Sequence, residues 1–130
     1  MNKEKLCRNT IQKQLVIDTV NELHTHPSAE EIYNAVVEKA PHISKATVYR
    51  NLAHLSEIGE ILKIEVPNAS DRFDFNTKPH HHMKCTMCGR LSDVEFSKEL
   101  DVMGNAKSVM GDTLTGYQLL FAGVCKSCTE

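Results

Sequence analysis

The residues best equipped for chemistry lie in two short stretches. One is His80-His81-His82-Met83-Lys84-Cys85-Thr86-Met87-Cys88-Gly89, and the other, near the C-terminus, is Cys125-Lys126-Ser127-Cys128. Two Cys-x-x-Cys pairs in one short chain point to a tetrahedral four-thiolate zinc site. The two-residue gap lets both sulfurs of a pair reach one ion from a tight turn, and Gly89 lets the backbone bend there. Four thiolates leave Zn²⁺ no open position, so the expected role of Cys85, Cys88, Cys125 and Cys128 is structural. The competing reading is a set of unrelated redox pairs or disulfides. Cys7 is the fifth cysteine, expected to pack as a small apolar residue rather than to act as a ligand.

A second set mixes nitrogen and oxygen. On a strand, His80 and His82 face one side and His81 the other. Two imidazoles on one face form a metal-ligand pair, and that character suits Fe²⁺ or Mn²⁺ more than a thiolate site does. Asp74, His26 and Asp93 could complete it. Read singly, each aspartate is a solvated surface group and His26, before Pro27, is a loop residue.

The elements that must hold these side chains can be read from periodicity. Residues 10–24 place Ile11, Leu15, Val16, Val20 and Leu23 at helical spacing. The pattern breaks at His24-Thr25-His26-Pro27. Ser28 and Glu31 form a capping box for a helix over about 28–39 that buries Ile32, Ala35 and Val36, with Pro41 as its stop. Ser44 caps a third helix, in which Val48, Leu52 and Leu55 form the inward stripe and Gly59 ends it. Leu62, Ile64 and Val66, then Phe73 and Phe75, alternate with polar residues as two strands of a hairpin joined at Pro67-Asn68-Ala69-Ser70-Asp71. Three helices and a hairpin give the order of a winged helix-turn-helix. Beyond it, residues 80–85, 91–96 and 117–124 read as strands and 97–110 as a helix. The expected fold class is α+β: a winged helix-turn-helix over residues 1–76, a hinge at 77–79, and a small zinc-clipped lobe over 80–130.

Composition limits the function. A chain of 130 residues suits one compact domain or two small ones, and small lobes gain from a metal staple. A net charge of −2 gives no bulk attraction for nucleic acid, so any DNA contact must be local. Such a patch exists: Pro41 to Ser56 holds Lys45 and Arg50 and no acid. Thr47, Tyr49, Arg50 and His54 lie off the apolar stripe, free to face a major groove, where arginine suits guanine edges and tyrosine and threonine suit thymine methyls; the candidate DNA contacts are Lys45, Thr47, Tyr49 and Arg50. No apolar run approaches 18 residues and no signal-peptide core follows Met1, so the expected location is cytoplasmic, where cysteines serve metals rather than disulfides. His-Glu-x-x-His is absent, as is His-x-Glu paired with Pro-Cys-x-x-Cys, which argues against a zinc enzyme. A zinc-stapled protein-interaction module is a further alternative; it would lack salt-dependent DNA affinity.

The combination His26-Pro27-Ser28-Ala29-Glu30-Glu31-Ile32-Tyr33, Ser44-Lys45-Ala46-Thr47-Val48-Tyr49-Arg50-Asn51-Leu52, Arg72-Phe73-Asp74-Phe75, His80-His81-His82 with Cys85-x-x-Cys88-Gly89, and Gly123-Val124-Cys125-x-x-Cys128 resembles the ferric uptake regulator (Fur) family over about residues 8–128. Within it, the chain is most similar to the peroxide-sensing repressors. The resemblance implies a homodimeric metal-dependent repressor on a palindromic DNA operator. Its structural zinc would lie on the four paired cysteines. Its regulatory Fe²⁺ or Mn²⁺ would lie on His26, Asp74, His80, His82 and Asp93, with Tyr49 on DNA. Aspartate at 74 favours the peroxide branch, whose members oxidise ligand histidines, here His26 and His80, and release DNA. An iron-responsive repressor of metal uptake is the alternative within the family. Three features depart from the pattern. The N-terminus is short, so the leading helix is expected to be truncated or absent; Gln12 and Lys13 stand in an unusual start; and Tyr117 occupies the place of a further ligand histidine.

Overall fold

The computed structural model describes residues 3–78 and 80–129, with side chains from residue 9 onward; Cys7 lies outside the described side chains. The chain divides into two compact units, Met1–Lys78 and Pro79–Glu130.

The first unit holds three helices and a hairpin. α1 spans Lys3–Glu22, α2 Ala29–Lys39 and α3 Lys45–Glu57; β1 is Leu62–Ile64 and β2 Arg72–Asp74. α1 begins seven residues earlier than its apolar spacing predicts. Its inward face is Val16, Thr19 and Val20, whereas Ile11 is exposed. Thr19 is tolerated there because its hydroxyl donates to the Leu15 carbonyl at 2.7 Å, leaving no buried donor unmet. α2 and α3 start where the sequence places them. The Ser28 hydroxyl accepts from the Glu31 N–H, and the Ser44 hydroxyl from the Thr47 N–H. α3 ends in a Schellman motif: Gly59 takes φ +78°, its N–H donates to Ser56 and that of Glu60 donates to Leu55. Val16, Val20, Ile32, Val36, Ile43, Val48, Leu52, Leu55, Ile61 and Phe73 form one core. β1 and β2 pair antiparallel, with Leu62 opposite Asp74 and Ile64 opposite Arg72. The ladder is shorter than the alternation predicts. Val66 is still buried beyond its end, but Phe75 is exposed.

The second unit is built on β3, His81–Cys85, the centre of a three-stranded sheet. β4, Leu91–Val94, pairs antiparallel with it, and β5, Leu120–Gly123, pairs parallel. The predicted helix over 97–110 is a single turn, α4, Val102–Asn105, capped by Asp101, whose carboxylate accepts from the Gly104 N–H at 2.9 Å. Gly104 falls where that helix needed a strong former, and Val109 and Met110 are exposed rather than packed. α5, Lys126–Thr129, closes the unit.

Candidate metal centres and nucleic-acid face

Cys85 ends β3, Cys88 follows in the next turn, Cys125 follows β5, and Cys128 lies in α5. The parallel register sets Cys85 opposite Gly123, so the two Cys-x-x-Cys turns open side by side. Gly89, at φ +79°, closes the first turn by donating its N–H to the Cys85 carbonyl at 2.9 Å. Cys125 anchors the second turn, its carbonyl accepting from Cys128 at 3.0 Å and Thr129 at 3.1 Å. One sulfur from each cysteine lies within 4.8 Å of every other. The Cys88 and Cys125 sulfurs stand 3.6 Å apart. That is far beyond a disulfide bond of about 2.05 Å. It is close to the edge of about 3.8 Å that a tetrahedron of zinc–sulfur bonds of about 2.3 Å requires. The four-thiolate set therefore fits a tetrahedral zinc ion, and all four of these cysteines are free of disulfide bonds.

The surroundings bias the thiols differently. Cys85 accepts the Cys125 N–H at 3.3 Å and the Cys88 N–H at 3.4 Å. These amide bonds, that of Cys125 first, stabilise its thiolate and lower its pKa from 9.0 to about 6. Cys128 is pushed up to about 12, chiefly because it shares hydrogen bonds with the sulfurs of Cys125 and then Cys88. A metal ion reverses the second bias by replacing those shared protons.

In the same unit, strand pairing sets His82 directly opposite Asp93. One carboxylate oxygen of Asp93 lies 3.5 Å from His82 Nε2 and 3.4 Å from His80 Nε2. The two rings meet edge-on, with centroids 4.4 Å apart. His81 faces the other way, against Phe96 and Tyr117. His82 is buried, whereas the Asp93 side chain is half exposed. This is a compact N,N,O donor group.

The first unit carries an N,O group of its own. His26 Nε2 lies 3.2 Å from Asp74 Oδ2, and both side chains are buried. Read alone, Asp74 was expected to be a solvated surface carboxylate; instead it is 6% exposed. A buried carboxylate demands a partner, and His26 supplies one across 48 positions of sequence, a pairing that no local pattern announces. The Asn76 N–H donates to the other oxygen of Asp74 at 3.0 Å. His26 has φ +55°, its carbonyl accepts from Arg72 Nη1 at 3.1 Å, and Arg72 lies two positions before Asp74 on β2.

On the outward side of α3, Lys45, Tyr49 and Arg50 are exposed and Thr47 is half-buried. The Lys45 ammonium lies 5.6 Å from the Tyr49 ring centroid and 5.9 Å from that of Tyr33, within cation–π range. Arg50 Nη2 donates to the Thr47 hydroxyl at 3.4 Å, and the Thr47 and Ser44 hydroxyls are 2.8 Å apart. A groove of about 590 Å³ joins this face to α1, lined by Asn9, Gln12 and Lys13 with Thr47, Arg50 and His54. The α1 side chains escaped the sequence reading because they carry no periodic signal; only packing brings them beside α3.

Comparison with known proteins follows the same lines. The family model described as "Ferric uptake regulator family" matches residues 4–119. The peroxide-responsive repressor PerR of Staphylococcus epidermidis is 37% identical over 123 residues, covering 95% of this chain and 82% of that protein. Its counterpart in Staphylococcus aureus is 35% identical, covering 95% and 83%. Among solved structures, a Campylobacter jejuni peroxide stress regulator matches with a TM-score of 0.73 at 27% identity, covering 98% of this chain and 100% of that one. The Helicobacter pylori ferric uptake regulator matches in fold, with a TM-score of 0.72 at 23% identity, covering 100% of this chain and 83% of that one. With its family model matched over most of its length and relatives at this identity, the chain belongs to the ferric uptake regulator family and is a transcription regulator, not an enzyme.

Proposed function

We propose that the chain is a metal-dependent transcriptional repressor that releases DNA when hydrogen peroxide oxidises its own ligand histidines. The observation that carries this reading is the placement of metal donors in both units. His26 and Asp74 pair in the winged unit, and His80, His82 and Asp93 gather in the other. A single Fe²⁺ or Mn²⁺ served by both groups links the winged unit to its partner unit across the expected hinge at 77–79, of which residue 79 lies outside the described residues. Zinc on Cys85, Cys88, Cys125 and Cys128 braces the second unit and takes no part in sensing.

The second unit also leaves Leu100, Val109, Met110 and Leu114 exposed, apolar side chains suited to a second copy in a homodimer. Linking the units fixes the spacing of the two α3 helices, which then read the half-sites of a palindromic operator through Lys45, Thr47, Tyr49 and Arg50. Coupling of this kind is worth about 1–3 kcal/mol, or roughly 5–150-fold in affinity. Such work belongs in the cytoplasm, with the chromosome.

Ferrous iron, when bound, supplies the ability to reduce peroxide to an oxidant beside its ligands. The chain supplies the targets. The imidazoles of His26 and His80 stand at the two donor groups, one in each unit, and oxidation of either weakens a donor that the link depends on. The winged units then lose their fixed spacing and leave the operator. Aspartate at 74 and the names of the 35–37% identical relatives support the peroxide branch.

The test loads zinc-containing protein with Fe²⁺ or Mn²⁺ and treats it with peroxide on operator DNA. The iron form gains one oxygen on a peptide holding His26 or His80 and releases DNA; the manganese form does neither. An iron form that keeps its mass and its DNA leaves an iron-responsive repressor instead.

A further inference from the structure

We propose that Arg72 is a positioning residue for His26, acting on the backbone of that histidine rather than on its ring. The inference rests on the reading of His26 and Asp74 as metal ligands, and it adds the device that keeps His26 in place. His26 has φ +55°, in the left-handed region that a β-carbon disfavours. Pro27 follows it, and a proline steers the residue before it toward extended backbone. Left to local preference, His26 would leave this conformation, and its ring would move away from Asp74.

The opposing force comes from β2. Arg72 Nη1 donates to the His26 carbonyl at 3.1 Å. The next residue, Phe73, donates its N–H to the Pro27 carbonyl at 2.9 Å, and Ser28 forms a β-bridge with Arg72. The guanidinium is itself steadied by Glu31 Oε1 at 3.6 Å, on the first turn of α2, whose N–H is capped by Ser28. Two positions along the same strand, Asp74 meets the His26 ring at 3.2 Å. One strand thus holds the histidine twice, by its carbonyl through Arg72 and by its ring through Asp74. Both contacts are made by Nη1, so one guanidinium nitrogen donates to the carbonyl while its charge faces the Glu31 carboxylate.

The alternative is that Arg72 only forms a surface ion pair with Glu31. A mutant cycle on zinc-loaded protein without added manganese separates the two. Arg72→Ala is made in wild-type, His26→Ala and His26→Gly backgrounds, and melting temperatures are compared. Glycine takes positive φ unaided and alanine does not. The loss on Arg72→Ala is therefore expected to be similar in the first two backgrounds and at most half as large in the third. In the wild-type background, Arg72→Ala should also weaken Mn²⁺ binding at least tenfold, with zinc content unchanged. If Arg72→Ala does not fold, Arg72→Lys is carried through the same cycle, since lysine keeps the charge but loses the planar guanidinium that places Nη1 on the His26 carbonyl. Equal losses in all three backgrounds, or Mn²⁺ affinity within twofold of wild type, overturn the positioning role. A wild-type chain that binds zinc but no Mn²⁺ instead sinks the reading of His26 as a ligand, while the melting cycle still decides whether Arg72 holds the backbone.

Discussion

Cys85 gives a pH signature that can be traced to a single residue. Its thiolate accepts two amide hydrogen bonds, and its pKa falls from 9.0 to about 6. A group depressed on folding stabilises the fold above its unfolded pKa, and that stabilisation is lost as pH falls through the folded value. For Cys85 it is complete above about 9 and gone below about 6. Cys128, raised to about 12, has the opposite sign: its neutral form stabilises the fold below about 9, and the contribution fades as pH rises toward 12. In zinc-stripped, reduced protein the second unit is expected to unfold and lose these hydrogen bonds, so thiolate absorbance at 240 nm should appear near pH 9 with no step near pH 6. A step near pH 6 that survives zinc removal and disappears in Cys85→Ser would show instead that the Cys85 turn stays folded without the ion. A second prediction concerns Asp74. Asp74→Asn keeps the volume and removes the charge, so Mn²⁺ binding should weaken by tenfold or more while the four-thiolate zinc is retained, as read by metal analysis. The two sets differed in how far the sequence revealed them. The cysteines announced themselves because each pair is local, two residues apart. Asp74 was reached only through the family resemblance, because its burial and its histidine partner both depend on where β2 crosses the chain at His26 and Pro27.

Among the elements, α3 carries both the core and the reading face, so its variants should separate into two classes. Leu52→Ala empties a fully packed site and should cost about 2–5 kcal/mol in denaturant unfolding, whether or not DNA is present. Arg50→Ala removes an exposed side chain, so stability should hold. Specific DNA affinity should fall by about 1–3 kcal/mol if Arg50 reads a guanine edge. Lys45→Ala should weaken all sequences alike and flatten the salt dependence by about one unit of slope, as for a phosphate contact. If Arg50→Ala leaves specific affinity intact, α3 does not read bases through this residue. The helices of the first unit were legible because their signals agree. Ser28 and Ser44 cap where apolar stripes begin, and Gly59 stops α3 with positive φ. Residues 97–110 had a weaker claim. Leu100 and Met103 are one turn apart, but six positions separate Met103 from Val109, and Gly104 interrupts the middle; a single capped turn remains. The parallel pairing of β3 with β5 was invisible for another reason. Leu120 lies 38 positions after His82, and a parallel partner leaves no trace in the periodicity of either strand.

At the scale of the whole chain, the two units differ in what holds them together, and their responses to metal removal should differ too. The first has a contiguous core of ten buried hydrophobic residues. Among the described residues of the second, the buried apolar ones are Cys85, Leu91 and Cys125, two of them proposed zinc ligands, and Val109 and Met110 face solvent. Small lobes with so little buried apolar surface seldom fold unaided, and a structural zinc ion can supply about 10–16 kcal/mol of apparent binding energy at neutral pH. Stripping zinc with a strong chelator under reducing conditions should therefore unfold the second unit and leave the first folded. Hydrogen exchange would then show lost protection at the β3 amides from His81 to Cys85, with protection kept in α2 and α3. Adding Mn²⁺ without zinc should not restore the β3 amides, because oxygen-preferring Mn²⁺ suits His80, His82 and Asp93 but not four thiolates. If both units lose protection together, stability is shared across the chain and zinc braces more than its own lobe. If neither does, the thiolate site is not what holds the second unit, and the separation between a bracing ion and a switching ion fails with it.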